Sequence, residues 1–113
     1  MIRWENANRY ELFIGLNDKE SKVQEISTDE AYNYIMSNVI STFGGGTITV
    51  NNHGVYKHDD GTLVDENTIK IDLSFVDDKK MEMLEDFMRD VMKAFNQESI
   101  LIVHNGMACY YRG

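Results

Sequence analysis

The segment Thr68–Phe75 constrains the fold most strongly, because its side chains alternate strictly between polar and apolar. The apolar set is Ile69, Ile71, Leu73 and Phe75, and the polar set is Thr68, Lys70, Asp72 and Ser74. Successive side chains of a β-strand point to opposite faces of the sheet, so one face of this strand is expected to lie in a core. An antiparallel sheet with one polar face is therefore predicted.

Further strands are predicted on both sides of this segment. Tyr10–Leu16 and Thr47–Val50 alternate in the same way. Ser99–Val103 is an apolar run that predicts a last strand, with a possible continuation at Met107–Tyr111 after the turn at Asn105-Gly106.

Two helices are predicted between these strands. Ser27 and Glu30 have the spacing of a capping box, and the apolar residues behind them predict a helix at about 27–43 that Gly44–Gly46 end. A second apolar stripe predicts a helix at about 78–95, which Asp77 or Asp78 can cap at its start and Asn96 at its end.

The order of elements is strand, helix, strand, strand, helix, strand. This order is typical of α+β ferredoxin-like βαββαβ domains, in which an antiparallel sheet carries two helices on one face. The crossover rule places the first strand centrally, beside the third. A pairing of 55–58 with 62–65 predicts a β-hairpin insertion between strands 2 and 3, at about 52–66. Residues 1–113 are expected to form a single domain.

Composition argues against several classes of function. The net charge of −8 disfavours direct nucleic-acid binding, since phosphate contacts need clustered Lys and Arg. No apolar run reaches the roughly 20 residues that span a bilayer, so no membrane association is expected. The first residues lack the apolar stretch of a signal peptide, and the single Cys109 suits a reducing compartment. A cytoplasmic location is therefore expected.

The glycines and histidines after the first helix raise the question of a chemical site. Phosphate loops follow a strand and open a helix, whereas Gly44–Gly46 close a helix, so they are interpreted as a helix stop. His53 and His58 flank Tyr56, and such a group can bind metal or act in acid–base catalysis. Solvated turn histidines are more common, and no zinc-type spacing supports them. No metal or other cofactor is expected, and the chain is judged less suited to an enzyme than to a binding protein.

The predicted hairpin carries the strongest candidates for recognition. Tyr56 offers a rigid aromatic face with a polar tip. His53 and His58 would make binding depend on pH near neutrality, and Glu66 favours a cationic or neutral partner over a bare phosphate. A small molecule or a protein partner, held by the sheet and the hairpin, is therefore expected.

The face of the sheet without helices suggests a second contact surface. Phe13, Leu101 and Val103 fall on this face if the register holds. Exposed apolar area costs about 25 cal/mol per Å², so these residues predict a homodimer mated through the open sheet face. The alternative is a register shifted by one residue, or termini that fold over the patch.

With these motifs placed, the chain resembles the DUF3574 family of unknown function over roughly residues 10–111. The most specific part is an aromatic residue followed by Gln97-Glu98-Ser99 and an apolar strand. The resemblance implies a small ferredoxin-like domain and a candidate surface, not a reaction. The segments that carry it are Tyr10–Gly15, Gly54-Val55-Tyr56, Asp60-Gly61, Glu66 and Phe95–Leu101. The polar residues that it picks out are Glu11, Tyr56, Glu66, Gln97, Glu98 and Ser99.

Three functions remain open at this point. The first is a small non-enzymatic binding module that uses the sheet and the 52–66 hairpin. The second is an acidic inhibitor from a phage or mobile element that mimics nucleic acid and blocks a basic host protein. The third is a cofactor-independent enzyme with a histidine base.

Overall fold

Residues 1–75 and 77–113 are described by the computed structural model. The elements in chain order are β1 (Asn8–Gly15), α1 (Thr28–Phe43), β2 (Thr47–Lys57), β3 (Leu63–Phe75), α2 (Asp78–Met81), α3 (Leu84–Phe95), β4 (Ile100–His104) and β5 (Met107–Tyr111). The strands form an antiparallel five-stranded sheet in the order β2-β3-β1-β4-β5. The predicted α+β class is confirmed, and β1 lies centrally beside β3.

The core lies between the helices and one face of the sheet. The apolar residues predicted to point inward from β3 are all buried, and Leu12 and Ile14 of β1 join them. Ile35 of α1 and Val91 of α3 belong to the same buried cluster. We call the opposite face of the sheet the open face; Phe13, Lys70 and Leu101 lie there in one row of paired residues on β1, β3 and β4.

The predicted helix ends are confirmed. The Ser27 hydroxyl accepts a hydrogen bond from the Glu30 amide at 3.1 Å. Gly44 ends α1 with a φ of 82°, and Asn96 ends α3 with a φ of 49°. Both lie in the left-handed region that ends helices.

The second predicted helix, at about 78–95, has the expected ends but is divided in two. Helix α2 ends at Met81 and α3 begins at Leu84. Between them the Met83 amide donates to the Lys80 carbonyl at 3.3 Å, an i to i+3 bond of the tighter 3₁₀ type. The apolar stripe continues through this break, which is why periodicity alone predicted a single helix.

The separate hairpin insertion predicted at 52–66 is wrong in one respect. Residues 53–57 do pair with 63–67, but they continue the β2–β3 ladder to its end. The ladder is interrupted by an irregularity between Thr49 and Asn52, where Asn51 has a φ of 64°. β2 is therefore one long strand with a bulge between Thr49 and Asn52, and its second half forms the hairpin with β3.

The chain also has a fifth strand, β5, which follows the Asn105-Gly106 turn and pairs with β4. The predicted continuation at Met107–Tyr111 is confirmed. In the described part of the chain, no helix is long and apolar enough to cross a bilayer.

Candidate functional site

Glu66 lies on the open face with its carboxylate held in a fixed position. Its Oε2 accepts a hydrogen bond from the Asn17 amide at 3.0 Å. Its Oε1 lies 3.5 Å from the hydroxyl of Tyr56, a long contact. The side chain is only half-exposed. A partly desolvated carboxylate with oriented oxygens interacts with a cation more strongly than a freely hydrated one does.

Two glycines provide the space that the Glu66 carboxylate and the neighbouring Thr68 hydroxyl occupy. A Cβ added to Gly15 of β1 would lie 2.5 Å from Cδ of Glu66 and 2.7 Å from its Oε2. A Cβ added to Gly54 of β2 would lie 2.8 Å from Oγ1 of Thr68. The strands on either side of β3 therefore present bare backbone here. We call this patch of the open face, formed by Gly15, Gly54, Glu66 and Thr68, the Glu66 trough.

Tyr56 forms one wall of the Glu66 trough, and 49% of its surface is exposed. Partial burial raises the pKa of Tyr56, and the carboxylates of Glu66 and Glu98 and the hydroxyl of Tyr110 raise it further. The phenol therefore stays protonated at neutral pH and can donate a hydrogen bond.

Gln97 supports the trough from behind. It is 9% exposed, and its Nε2 donates to the carbonyl of Asn17 at 2.7 Å and to that of Phe95 at 3.3 Å. It thereby holds the backbone of Asn17, whose amide faces Glu66. Gln97, predicted as a binding residue, lies where it can position Asn17 and has little surface to offer a ligand.

The charged residues on the rest of the open face neutralise one another. Arg9 and Asp72 form an ion pair at 2.9 Å, and Lys70 lies 3.4 Å from Glu11. Lys70 also lies 5.6 Å from the ring centre of Phe13. Glu11, another predicted binding residue, is thus engaged in a local charge network.

The predicted dimer residues lie together on the open face. Phe13 pairs with Leu101 across β1 and β4, and Val103 pairs with Glu11 in the next row. All three side chains are half-buried rather than fully exposed. The register is as expected, and the homodimer through this surface stays a prediction.

The two histidines of the ladder lie in different surroundings. His53 contacts Asp65 through Nδ1 and Oδ1 at 2.8 Å, and both side chains are mostly exposed. His58 packs edge-on against Tyr56, with the ring centres 5.4 Å apart. Of the two, only His58 has its ring in contact with Tyr56.

Within residues 1–75 and 77–113, no group of three or more His, Cys, Asp or Glu side chains could hold a metal ion. A depression of ≈ 510 Å³ occupies the other end of the open face, beside Gly45 and Gly46. Its Arg9 side chain is already paired with Asp72, so it offers no free charge to a ligand. The Glu66 trough is the better candidate for recognition.

Sequence reasoning missed Asn17 and did not connect either glycine with Glu66. Glu66 and Asn17 are separated by 49 positions, so their contact has no local pattern. Gly15 and Gly54 do give a signal, because an isolated glycine in a strand often marks a close approach by another group. For Gly15 that group is the Glu66 carboxylate.

Comparison with known proteins gives a family and a shared fold. The model of DUF3574, described as a protein of unknown function, matches residues 9–110. No curated protein matches the chain. A phage SAM lyase in complex with S-methyl-5'-thioadenosine matches with a TM-score of 0.74 and 15% identity, covering 100% of this chain and 95% of the lyase. The apo state of a phage SAM lyase matches with a TM-score of 0.70, 17% identity and the same coverage. Similarity at this level of identity shows the fold alone.

Proposed function

The chain belongs to the DUF3574 family, and we propose that it binds a sulfonium nucleoside of the S-adenosylmethionine class in the Glu66 trough. The observation that carries this proposal is the oriented, half-buried carboxylate of Glu66. The neighbouring fold, a phage SAM lyase solved with S-methyl-5'-thioadenosine, supplies the chemical class of the ligand.

The charge of the trough suits a cation. Across residues 1–75 and 77–113, no Lys, Arg or His nitrogen lies within 4.0 Å of the Glu66 carboxylate. The net charge of −8 also favours the approach of a positively charged ligand. A sulfonium centre placed at Glu66 would therefore be attracted both at long range and in contact.

The ring of Tyr56 suits the nucleoside portion. Tyr56 is 49% exposed, so its ring is available to stack on a purine. Aromatic faces also attract cations, by about 0.5–2 kcal/mol depending on desolvation.

The same proposal includes a classification of the fold. We assign the order β2-β3-β1-β4 to a ferredoxin-like βαββαβ domain that is extended by β5. Residues 1–113 then form one domain, and the ligand lies on the sheet face opposite the helices.

The test is calorimetric titration with S-adenosylmethionine and, separately, with S-methyl-5'-thioadenosine. Glu66→Gln keeps the shape of the side chain and removes its charge. A loss of about 2 kcal/mol, within the range for a charged hydrogen-bonded partner, corresponds to roughly 30-fold weaker binding of the sulfonium. The neutral thioether should lose much less, because it carries no charge for Glu66 to attract.

Asp65→Asn is the matched control, since Asp65 precedes Glu66 on the same strand and contacts His53 instead. It should leave both affinities within twofold of the parent chain. Equal losses for the two ligands, or no binding of either, would contradict the proposal. Mass spectrometry of the same mixtures separates a binding module from a lyase, because a lyase would release S-methyl-5'-thioadenosine from the sulfonium.

A further inference from the structure

Strand β5 leaves one edge of the sheet uncovered. It is last in the strand order and pairs with β4 alone. Met107, Ala108, Cys109 and Tyr110 are all exposed, and only Tyr111 is partly covered. Both faces and the outer edge of this strand are therefore accessible.

The turn before β5 determines which backbone groups point outward. Asn105 and Gly106 have φ values of 51° and 74°, as in a two-residue type I′ turn. The pair that flanks such a turn, His104 and Met107, exchanges hydrogen bonds, and bonded pairs then alternate along the ladder. Cys109 and Tyr111 therefore face β4, whereas the amides and carbonyls of Ala108 and Tyr110 point to the outer edge.

The other edge of the sheet is protected against strand pairing, and that of β5 is not. The ladder of β2 is broken between Thr49 and Asn52, and β2 ends in Lys57. Bulges and charged residues are the usual devices that prevent edge-to-edge association. Strand β5 pairs with β4 in an unbroken register and contains no proline and no charged residue.

We propose that β5 pairs antiparallel with β5 of a second copy of this chain, which joins the two sheets into one. Charge favours a second copy at this edge: the chain has 19 acidic residues, and none of them lies in β5. Self-association through the acidic parts of the surface would bring carboxylates together. Here the two strands meet without like charges opposite each other.

The register follows from the outward-facing groups. When Ala108 of one copy lies opposite Tyr110 of the other, each pair exchanges two hydrogen bonds and all the outward groups within β5 are satisfied. A large side chain then lies beside a small one on the same face. Two-fold symmetry places Cys109 opposite Cys109 of the second copy.

This register predicts a direct chemical signature. Cys109 and its symmetry mate form a non-hydrogen-bonded pair, whose Cα atoms are about 4.5 Å apart. That separation lies within the range of about 4.4–6.8 Å that disulfides require. Cys109 thus reports on the pairing; it is not needed for it, and the pairing itself needs no oxidant.

The first experiment measures association of the full chain under reducing conditions. Sedimentation equilibrium at about 100 μM should give twice the chain mass of 13.1 kDa. Ala108→Pro removes an outward amide but no bond to β4, so it should give a folded monomer. Cys109→Ser should stay dimeric. A monomeric parent chain, or a folded Ala108→Pro variant that remains dimeric, would overturn the proposal.

The second experiment tests the register with copper(II)-phenanthroline, where each disulfide releases two protons and passes two electrons to copper. The parent chain should form a covalent dimer at least tenfold faster than Tyr110→Cys in a Cys109→Ser background. In the proposed register the Cα atoms at position 110 of the two copies are about 8 Å apart, beyond the reach of a disulfide. Equal or reversed rates would refute this register and favour a dimer through the open face, on which Tyr110 lies.

Discussion

Gly15 and Gly45 both have backbone angles that any residue can adopt, and their surroundings differ completely. A Cβ at Gly15 would overlap the carboxylate of Glu66, whereas a Cβ at Gly45 would have no atom within 4 Å. The run of Gly44–Gly46 is the more conspicuous feature of the sequence, yet a Cβ added to its middle residue would contact no other atom. An isolated glycine beside a charged side chain is the better indicator of a site here, because its missing side chain makes room for a functional group.

The largest effect that this comparison predicts is at Gly15. Gly15→Ala should displace the Glu66 carboxylate from the Asn17 amide and weaken sulfonium binding by about tenfold or more, because a hydrogen bond to a charged group contributes about 1.5–3 kcal/mol. Gly45→Ala is the matched control and should leave affinity unchanged. Calorimetry measures both, with circular dichroism to verify the fold.

A second substitution determines whether Gly15 acts through Glu66. Aspartate is one methylene shorter, so Glu66→Asp in the Gly15→Ala background withdraws the carboxylate from the new Cβ. The loss of binding free energy in the double variant should be smaller than the sum of the losses in the two single variants. The difference, which is the coupling energy between the two positions, should be about 0.5–3 kcal/mol. Strict additivity would mean that Gly15→Ala acts on some other part of the molecule.

A smaller and purely structural effect is expected at Gly46. A Cβ there would lie 2.8 Å from Cδ2 of Leu73 and 3.2 Å from the carbonyl oxygen of Asp72. Gly46→Ala should therefore lower the free energy of unfolding by about 1–3 kcal/mol, while Gly45→Ala changes it by less than about 1 kcal/mol. Urea titration measures this difference. A large loss of ligand affinity in folded Gly46→Ala would contradict the assignment of this run to a helix stop.

The sequence predicted the parts of the molecule that local physics controls. The alternation of Thr68–Phe75 identified the buried face of β3, and Ser27, Gly44 and Asn96 marked helix ends through short-range capping geometry. Glu66 and Tyr56 were selected as candidates through the polarity of their segment and the family resemblance. The hydrogen bond from the Asn17 amide to Glu66 could not be predicted from the sequence, because the two residues are 49 positions apart and their contact depends on how β1 and β3 pair.

The smallest predicted effect concerns the loop that follows Gly15 and carries Asn17. Hydrogen bonds from the Ser21 amide, the Asn96 side chain and the Glu20 amide lower the pKa of Asp18. A carboxyl group whose pKa is lower in the folded state stabilises the fold above its unfolded pKa of about 3.9. That contribution is lost as the pH falls through the folded pKa.

Asp18→Asn should therefore reduce the change of the unfolding free energy with pH below about pH 4. Near neutrality the pH dependence of the unfolding free energy should change little. Urea titrations of the parent chain and the variant between about pH 2 and pH 7 measure the difference. Because Asp18 also accepts a hydrogen bond from Asn96 next to Gln97, the variant should loosen the support of Asn17 slightly. Sulfonium affinity should then fall by no more than about threefold, because this hydrogen bond acts on Asn17 only through Asn96 and Gln97. A loss as large as that of Gly15→Ala would mean that the loop, and not the bare backbone under Glu66, determines the position of the carboxylate.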